Sequence, residues 1–164
     1  MITIDIPGRE SPLVIKKLVL DYNGTIAVDG VLAEGVKERI RALCGMVQVY
    51  VLTADTYGTV RAQCEPLGVA IRTFPHAGAA VCKEEIVAEL KKTGGDDADP
   101  GICAVGNGFN DVQMMDLADF RIAVLDAEGM YAGLIGHADV LVRSAAEALD
   151  LLLKPDRLRA TLRN

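Results

Sequence analysis

The chain has no tryptophan, and aromatic residues make up only 4% of it, so its interior cannot be built on large rings. With 51% hydrophobic residues, the core must come from Val, Leu, Ile and Ala, a composition that favours an α/β protein. Positive charge is also short. Lys and Arg number 17 against 23 Asp and Glu, and a net charge of -6 has the wrong sign for non-specific attraction to nucleic acid or acidic lipid. A small-molecule or protein partner is expected instead. No uncharged apolar run reaches spanning length, so no membrane segment is expected. The start, Met1 to Gly8, lacks a basic region followed by a long apolar run and does not read as a signal peptide, which predicts a cytoplasmic protein. No C-x-x-C pair occurs. Cys44, Cys64, Cys82 and Cys103 are widely spaced in apolar stretches and read as buried, reduced thiols.

What is present is a regular alternation of strand-like and helix-like segments over 164 residues, enough for one domain spanning 1–164. Ile2, Ile4 and Ile6 alternate with polar residues up to Pro7-Gly8, which predicts an N-terminal hairpin. Leu18 to Asp21 is an apolar run ending abruptly in a polar turn, as a central parallel strand does. Further strands are expected at Val47–Leu52, Val69–Phe74, Ile102–Val105, Phe120–Leu125 and Val140–Val142. Helices are expected at Ala33–Leu43, Thr59–Leu67, Ala79–Lys92, Asp111–Leu117 and Ala145–Leu153. In the third of these, Val81, Ile86, Val87 and Leu90 are read as the apolar side. The pattern predicts a three-layer, Rossmann-like α/β domain whose central, mainly parallel sheet is covered by helices on both faces. Ligands then bind at the carboxyl ends of the strands. Thr93 to Pro100 reads as an exposed acidic loop, and the tail from Pro155 as a solvated terminal helix.

Four polar clusters fall at or near those strand ends. In Asp21-Tyr22-Asn23-Gly24-Thr25 a carboxylate is placed to attack a phosphoryl group while Gly24 lets the backbone close around the anion, although Asn-Gly is also a common tight turn. Thr53-Ala54-Asp55 offers a hydroxyl and backbone N–H groups to phosphate oxygens, or else is an ordinary helix N-cap. Lys83 can bring one cation to the phosphate, or be one more surface lysine. Gly106-Asn107-Gly108-Phe109-Asn110-Asp111 gathers oxygen-bearing side chains of the kind that hold a hard cation such as magnesium. His76 and the acidic stretch around Asp96 read as solvated surface.

In this order and spacing, the four clusters resemble the motifs of the haloacid-dehalogenase-like superfamily, over most of the chain. More narrowly, Thr53-Ala54-Asp55, Pro75 with Lys83-Glu84-Glu85-Ile86-Val87, and the Gly106 to Asp111 segment resemble the phosphorylation domain of P-type ATPases in its soluble, membrane-free form. The resemblance implies that Asp21 forms an aspartyl-phosphate. It assigns phosphate binding to Thr53, Ala54, Lys83 and Asn110. It places Mg2+ between Asp21 and Asp111, helped by the backbone carbonyl of Asn23 and by Asn107. Two residues depart from the pattern: Asn23 stands where phosphatases carry an acid/base aspartate, and Asn107 where the ATPases usually carry aspartate. An amide exchanges no proton at neutral pH, so dephosphorylation is expected to be slow.

About 27 residues separate the first cluster from Thr53, and about 29 separate Thr53 from Lys83, leaving no space for a cap domain. The expected activity is therefore that of a capless phosphatase or ATPase-like hydrolase. Its substrate is a phosphorylated small molecule, ATP or a phosphoprotein. A low-turnover module that binds phosphate, nucleotide or a partner is the alternative, and self-association stays open.

Overall fold

The computed structural model describes residues 1–93 and 100–164, so the acidic loop expected at 93–100 lies almost entirely outside the described residues. The centre is a six-stranded, all-parallel sheet. Its strands are β3 (Lys17–Asp21), β6 (Gln48–Thr53), β7 (Ala70–Thr73), β8 (Ile102–Gly106), β9 (Phe120–Val124) and β10 (Val140–Val142), in the spatial order β10-β9-β8-β3-β6-β7. The chain runs outward from β3 through β6 to β7, then crosses back to place β8 on the other side of β3. The strand order therefore reverses at β3, and in such sheets that reversal opens a crevice at the carboxyl ends. Every residue of β3 and of β8 is buried, as strands covered on both faces must be.

Period-two alternation divides these strands between two cores. Leu18, Leu20, Cys103 and Val105 face the layer that contains α1 (Val36–Cys44) and α5 (Ala145–Leu153). Val19, Ile102 and Ala104 face Val87, Leu90, Met114 and Met115 from α3 (Ala79–Lys92) and α4 (Val112–Leu117). On α1, Val36, Ile40 and Leu43 recur at helical spacing and are all buried, each contributing about 1.5–3 kcal/mol of apolar burial. Arg39 on the same helix reaches Asp150 of α5 at 2.8 Å, locking those two helices together.

The N-terminal hairpin pairs β1 (Ile2–Ile4) with β2 (Leu13–Ile15), antiparallel and apart from the main sheet. The helix expected at Thr59–Leu67 is shorter: α2 spans Val60–Cys64, and Pro66 tightens its end into a 3-10 turn, Glu65–Leu67. In α3 the boundaries are as expected but the buried face differs. Val81 is half exposed, and Lys83, Val87 and Leu90 point inward. The terminal helix α6 (Pro155–Leu162) docks through buried Leu158, and Arg159 donates to the Asp5 carbonyl. Among the described residues all four cysteines are free thiols. Cys64 and Cys103 are fully buried, and Cys44 and Cys82 partly so. No helix of the described residues is long and apolar enough to cross a membrane.

Candidate active site

Three strands deliver the chemistry at their carboxyl ends: Asp21 closes β3, Thr53 closes β6, and the loop after β8 carries Asn107, Asn110 and Asp111. Lys83 enters from the second turn of α3, which follows β7 and begins at left-handed Gly78. Asp21, Asn23, Thr53, Ala54, Lys83 and Asn110 line one cavity of about 160 Å3, room for a phosphoryl group and a few waters. Sequence reasoning anticipated these six. It missed Thr56, Phe74, His76 and Ala79, which border the same cavity. His76 is solvent-exposed, as expected, yet it lies beside the site.

The centre of charge is Lys83, only 1% exposed, whose Nζ donates to Asp21 Oδ1 and Asp111 Oδ1, each at 2.6 Å, and lies 3.3 Å from Asn110 Oδ1. Burial alone would favour the neutral amine. The two carboxylates outweigh it and hold the lysine above its ordinary range. For Asp21, burial and then the field of Asp111 push the carboxyl up, while Lys83 and the Thr25 hydroxyl pull it back, leaving it at about 6. Asp111 is committed on both oxygens, because its Oδ2 accepts the backbone N–H groups of Asn107 and Gly108 at 3.0 and 2.9 Å. That brace shapes the loop after β8. It also requires Gly106, where a Cβ would sit 2.5 Å from the Asp111 carboxyl carbon.

On the other side of Asp21, the Thr25 hydroxyl lies 2.8 Å from Asp21 Oδ2 and 3.1 Å from Asn107 Oδ1. One hydroxyl proton thus faces two acceptors. The Asn107 amide is turned this way because its Nδ2 donates to the Gly129 carbonyl at 3.0 Å, and it packs against Gly24, where φ is +80° and a Cβ would meet that nitrogen at 2.5 Å. Three oxygens sharing one proton make an electron-rich hollow, which suits a hard cation. Among the described residues, no group of three or more Asp, Glu, His or Cys could hold a metal ion. A divalent cation here would therefore have to be bound by Asp21 with carbonyl oxygens, from the backbone of Asn23 and the side chain of Asn107. Asp111 could join only by exchanging Lys83 for the cation. Asn23 lines the cavity, and its Oδ1, fully buried, is an acceptor that the protein itself does not satisfy.

Thr53 holds its loop through its oxygen, which accepts the Asp55 N–H at 2.8 Å and leaves the hydroxyl proton free to be donated into the cavity. Asp55, at φ +49°, in turn accepts from the amides of Thr59 and Val60 and starts α2. Asp55 thus satisfies amides at the start of α2, where Thr59 holds the N-cap position, while Thr53 and Ala54 line the cavity. Between β3 and β6 lie a small hairpin, β4 (Ala27–Val28) with β5 (Val31–Leu32), and α1, with no larger insertion. The hairpin turn is fastened by Thr59 Oγ1 donating to the Gly30 carbonyl at 2.6 Å and by the Asp29 N–H donating to Glu128 at 2.9 Å.

No family model matches the chain. It is 28% identical over 148 residues to a soluble P-type ATPase-like phosphatase of Methanocaldococcus jannaschii, covering 90% of this chain and 52% of that protein; the chain thus spans about half of that relative's length. It is 39% identical over 84 residues to the uncharacterized protein MJ0073 of the same organism, covering 51% of this chain and 87% of that one. Among solved structures, the 3-deoxy-D-manno-octulosonate 8-phosphate phosphatase of Moraxella catarrhalis, with magnesium, phosphate and KDO bound, superposes with a TM-score of 0.70. The identity is 17%, over 91% of this chain and 94% of that one. A Legionella pneumophila protein assigned to the HAD superfamily (subfamily III A hydrolases) gives 0.65 at 20% identity, over 90% and 88%. The chain therefore has the fold of these phosphatases, and the four polar clusters at its strand ends resemble the motifs of the haloacid-dehalogenase-like superfamily.

Proposed function

We propose that the protein is a magnesium-dependent phosphatase that works through a phosphoenzyme on Asp21. The observation that carries this reading is the arrangement around Asp21: a buried carboxylate that lines a small cavity and is held by a buried lysine at 2.6 Å, with a hydroxyl donor and a proton-poor oxygen hollow on its other side. In the first step Asp21 attacks phosphorus while the bond from phosphorus to the leaving group breaks and the leaving group departs with the electron pair; water later displaces Asp21 and releases phosphate. Thr53, the Ala54 backbone, Lys83 and Asn110 hold the phosphoryl oxygens as charge develops on them. Asp21, the Asn23 carbonyl and Asn107, with Asp111 in reserve, would hold a magnesium ion, which would supply further neutralisation of those oxygens when bound. Thr25 keeps the nucleophile's second oxygen in place.

Turnover is slow in this proposal because Asn23 cannot donate a proton to the leaving group or accept one from water, a loss of about 100- to 10,000-fold relative to an acid/base residue. The substrate is a phosphorylated small molecule, with ATP and phosphoproteins as further candidate donors. The open cavity and the absence of any large insertion between the described motifs leave room for either. Four free thiols suit a reducing cytoplasm. One observation favours a second reading, a regulatory module that binds phosphate or a partner: both asparagines remove charges that efficient turnover would use.

The test is magnesium-dependent labelling from acyl phosphates and ATP, with Asp21→Asn as control and Asn23→Asp alongside. Label that is lost in Asp21→Asn and turns over faster in Asn23→Asp is the expected result. Absence of label from every donor, in both proteins that retain Asp21, would overturn the phosphatase reading in favour of the binding module.

A further inference from the structure

The cavity contains one titratable group that the proposed chemistry leaves unused. Its lining residues include only three ionisable side chains, and two of them, Asp21 and Lys83, are bound to each other. The third is His76; Asp111 pairs with Lys83 from behind, and Asp55 stands between the lining residues Ala54 and Thr56. His76 sits on a short loop fixed at both ends by the site itself. Upstream, the Phe74 N–H donates to the carbonyl of Thr53 at 3.2 Å. Downstream, α3 begins at Ala79, which also lines the cavity, and carries Lys83 one turn later. Asn23 lines the same cavity, and its buried Oδ1 is an acceptor with no hydrogen-bond partner.

Resting on the phosphoenzyme reading, we propose that His76 is a catalytic residue: it carries the protons that Asn23 cannot, while Asn23 Oδ1 only orients the attacking water by accepting one of its hydrogens. The substrates that need this are alkyl phosphate monoesters, whose alkoxide is a poor leaving group. As Asp21 forms its bond to phosphorus, the phosphorus–oxygen bond to the alcohol breaks. The departing oxygen keeps the electron pair and takes the proton of the His76 imidazolium, leaving as the alcohol. In the second step water bonds to phosphorus and gives a proton to the now neutral imidazole. The bond from phosphorus to Asp21 breaks, which frees inorganic phosphate and restores both side chains. Acyl phosphates, whose leaving carboxylate needs no proton, bypass the first of these transfers.

The experiment compares kcat/KM for an alkyl phosphate and for acetyl phosphate in the wild type, His76→Gln, Asn23→Asp and the double variant, all in excess magnesium. His76→Gln is expected to lower alkyl phosphate turnover at least tenfold and acetyl phosphate turnover less than about threefold. In the Asn23→Asp background, where an acid is again present, its effect on the alkyl substrate should shrink below about threefold. Equal losses on both substrates would mean that His76 acts on binding or on the loop, and would overturn the proposal. So would no loss on either, an undiminished loss in the double variant, or a wild type that turns over acetyl phosphate but no alkyl phosphate. A wild type inert towards both substrates overturns the Asp21 reading itself, so the two failures are distinguishable.

Discussion

Replacing Asp21 should make the metal-free protein more stable. Asp21 is 6% exposed, and its carboxyl sits at about 6 rather than 3.8, chiefly because burial and then Asp111 oppose its charge more than Lys83 and Thr25 support it. An unfolded aspartate loses its proton near its ordinary value, so between about pH 4 and pH 6 the folded chain holds a proton that the unfolded chain does not. Stability therefore falls as pH rises through that window, and the loss is complete above it. At about 1.4 kcal/mol per pH unit, this amounts to about 3 kcal/mol at pH 7.5. The amide introduced by Asp21→Asn carries no such charge and leaves Lys83 paired with Asp111 alone. Urea unfolding followed by circular dichroism in the presence of a chelator should show Asp21→Asn more stable by about 2–3 kcal/mol at pH 7.5. With m-values of about 1–3 kcal/mol per molar, the midpoint moves by about 1 M or more. The gap should close towards pH 4. Equal or lower stability of Asp21→Asn at pH 7.5, or a difference that does not vary with pH, would refute the charge argument. Added magnesium should then narrow the gap, since it binds the folded wild type more tightly.

Lys83→Met leaves two buried carboxylates facing each other without a cation and should cost about 3–5 kcal/mol at neutral pH in chelator. Combining it with Asp21→Asn should recover most of that loss in the same urea assay. Asn107→Asp adds a charge beside Asp21 and Thr25, so it should lower the magnesium concentration for half-maximal labelling several-fold, while destabilising the chelated protein. Unchanged magnesium dependence would show that Asn107 Oδ1 does not face the cation.

The parts of this protein legible in its sequence are those set by local pattern. A run such as Leu18-Val19-Leu20 can be buried on both faces only as a central strand, and Asp21 at its end had to open into the crevice. The boundaries of α3 were plain, but its inward face was not. Lys83, Val87 and Leu90 share that face, and a lysine there looks polar in sequence because the carboxylates that neutralise it lie 62 and 28 residues away. The β4–β5 hairpin is not legible in the sequence, since two-residue strands show no period. Thr25 stood in a quoted cluster without a role, because its service to Asp21 and Asn107 is a matter of distance across the chain. Likewise nothing near His76 marks it. Its place follows from the β6–β7 register that carries the next amide, that of Phe74, onto the carbonyl of Thr53.

Charge at the site also bears on what it can hold. Asp21 and Asp111 against Lys83 leave one net negative charge, whereas an aspartate at 23, as in the phosphatase pattern, or at 107, as in the ATPase pattern, would each add one more. A phosphate ester approaching the bare site therefore meets less repulsion, and the hollow by Thr25 attracts a cation less strongly. Both effects shift the site towards engaging the anion at low magnesium and away from rapid release through an acid/base residue. On the proposed phosphoenzyme reading, water attacking phosphorus would have to lose a proton as the bond to Asp21 breaks, and the amide of Asn23 could not take it. The lifetime of the phosphorylated state would then depend on how freely another base, such as His76 at the edge of the cavity, reaches that water.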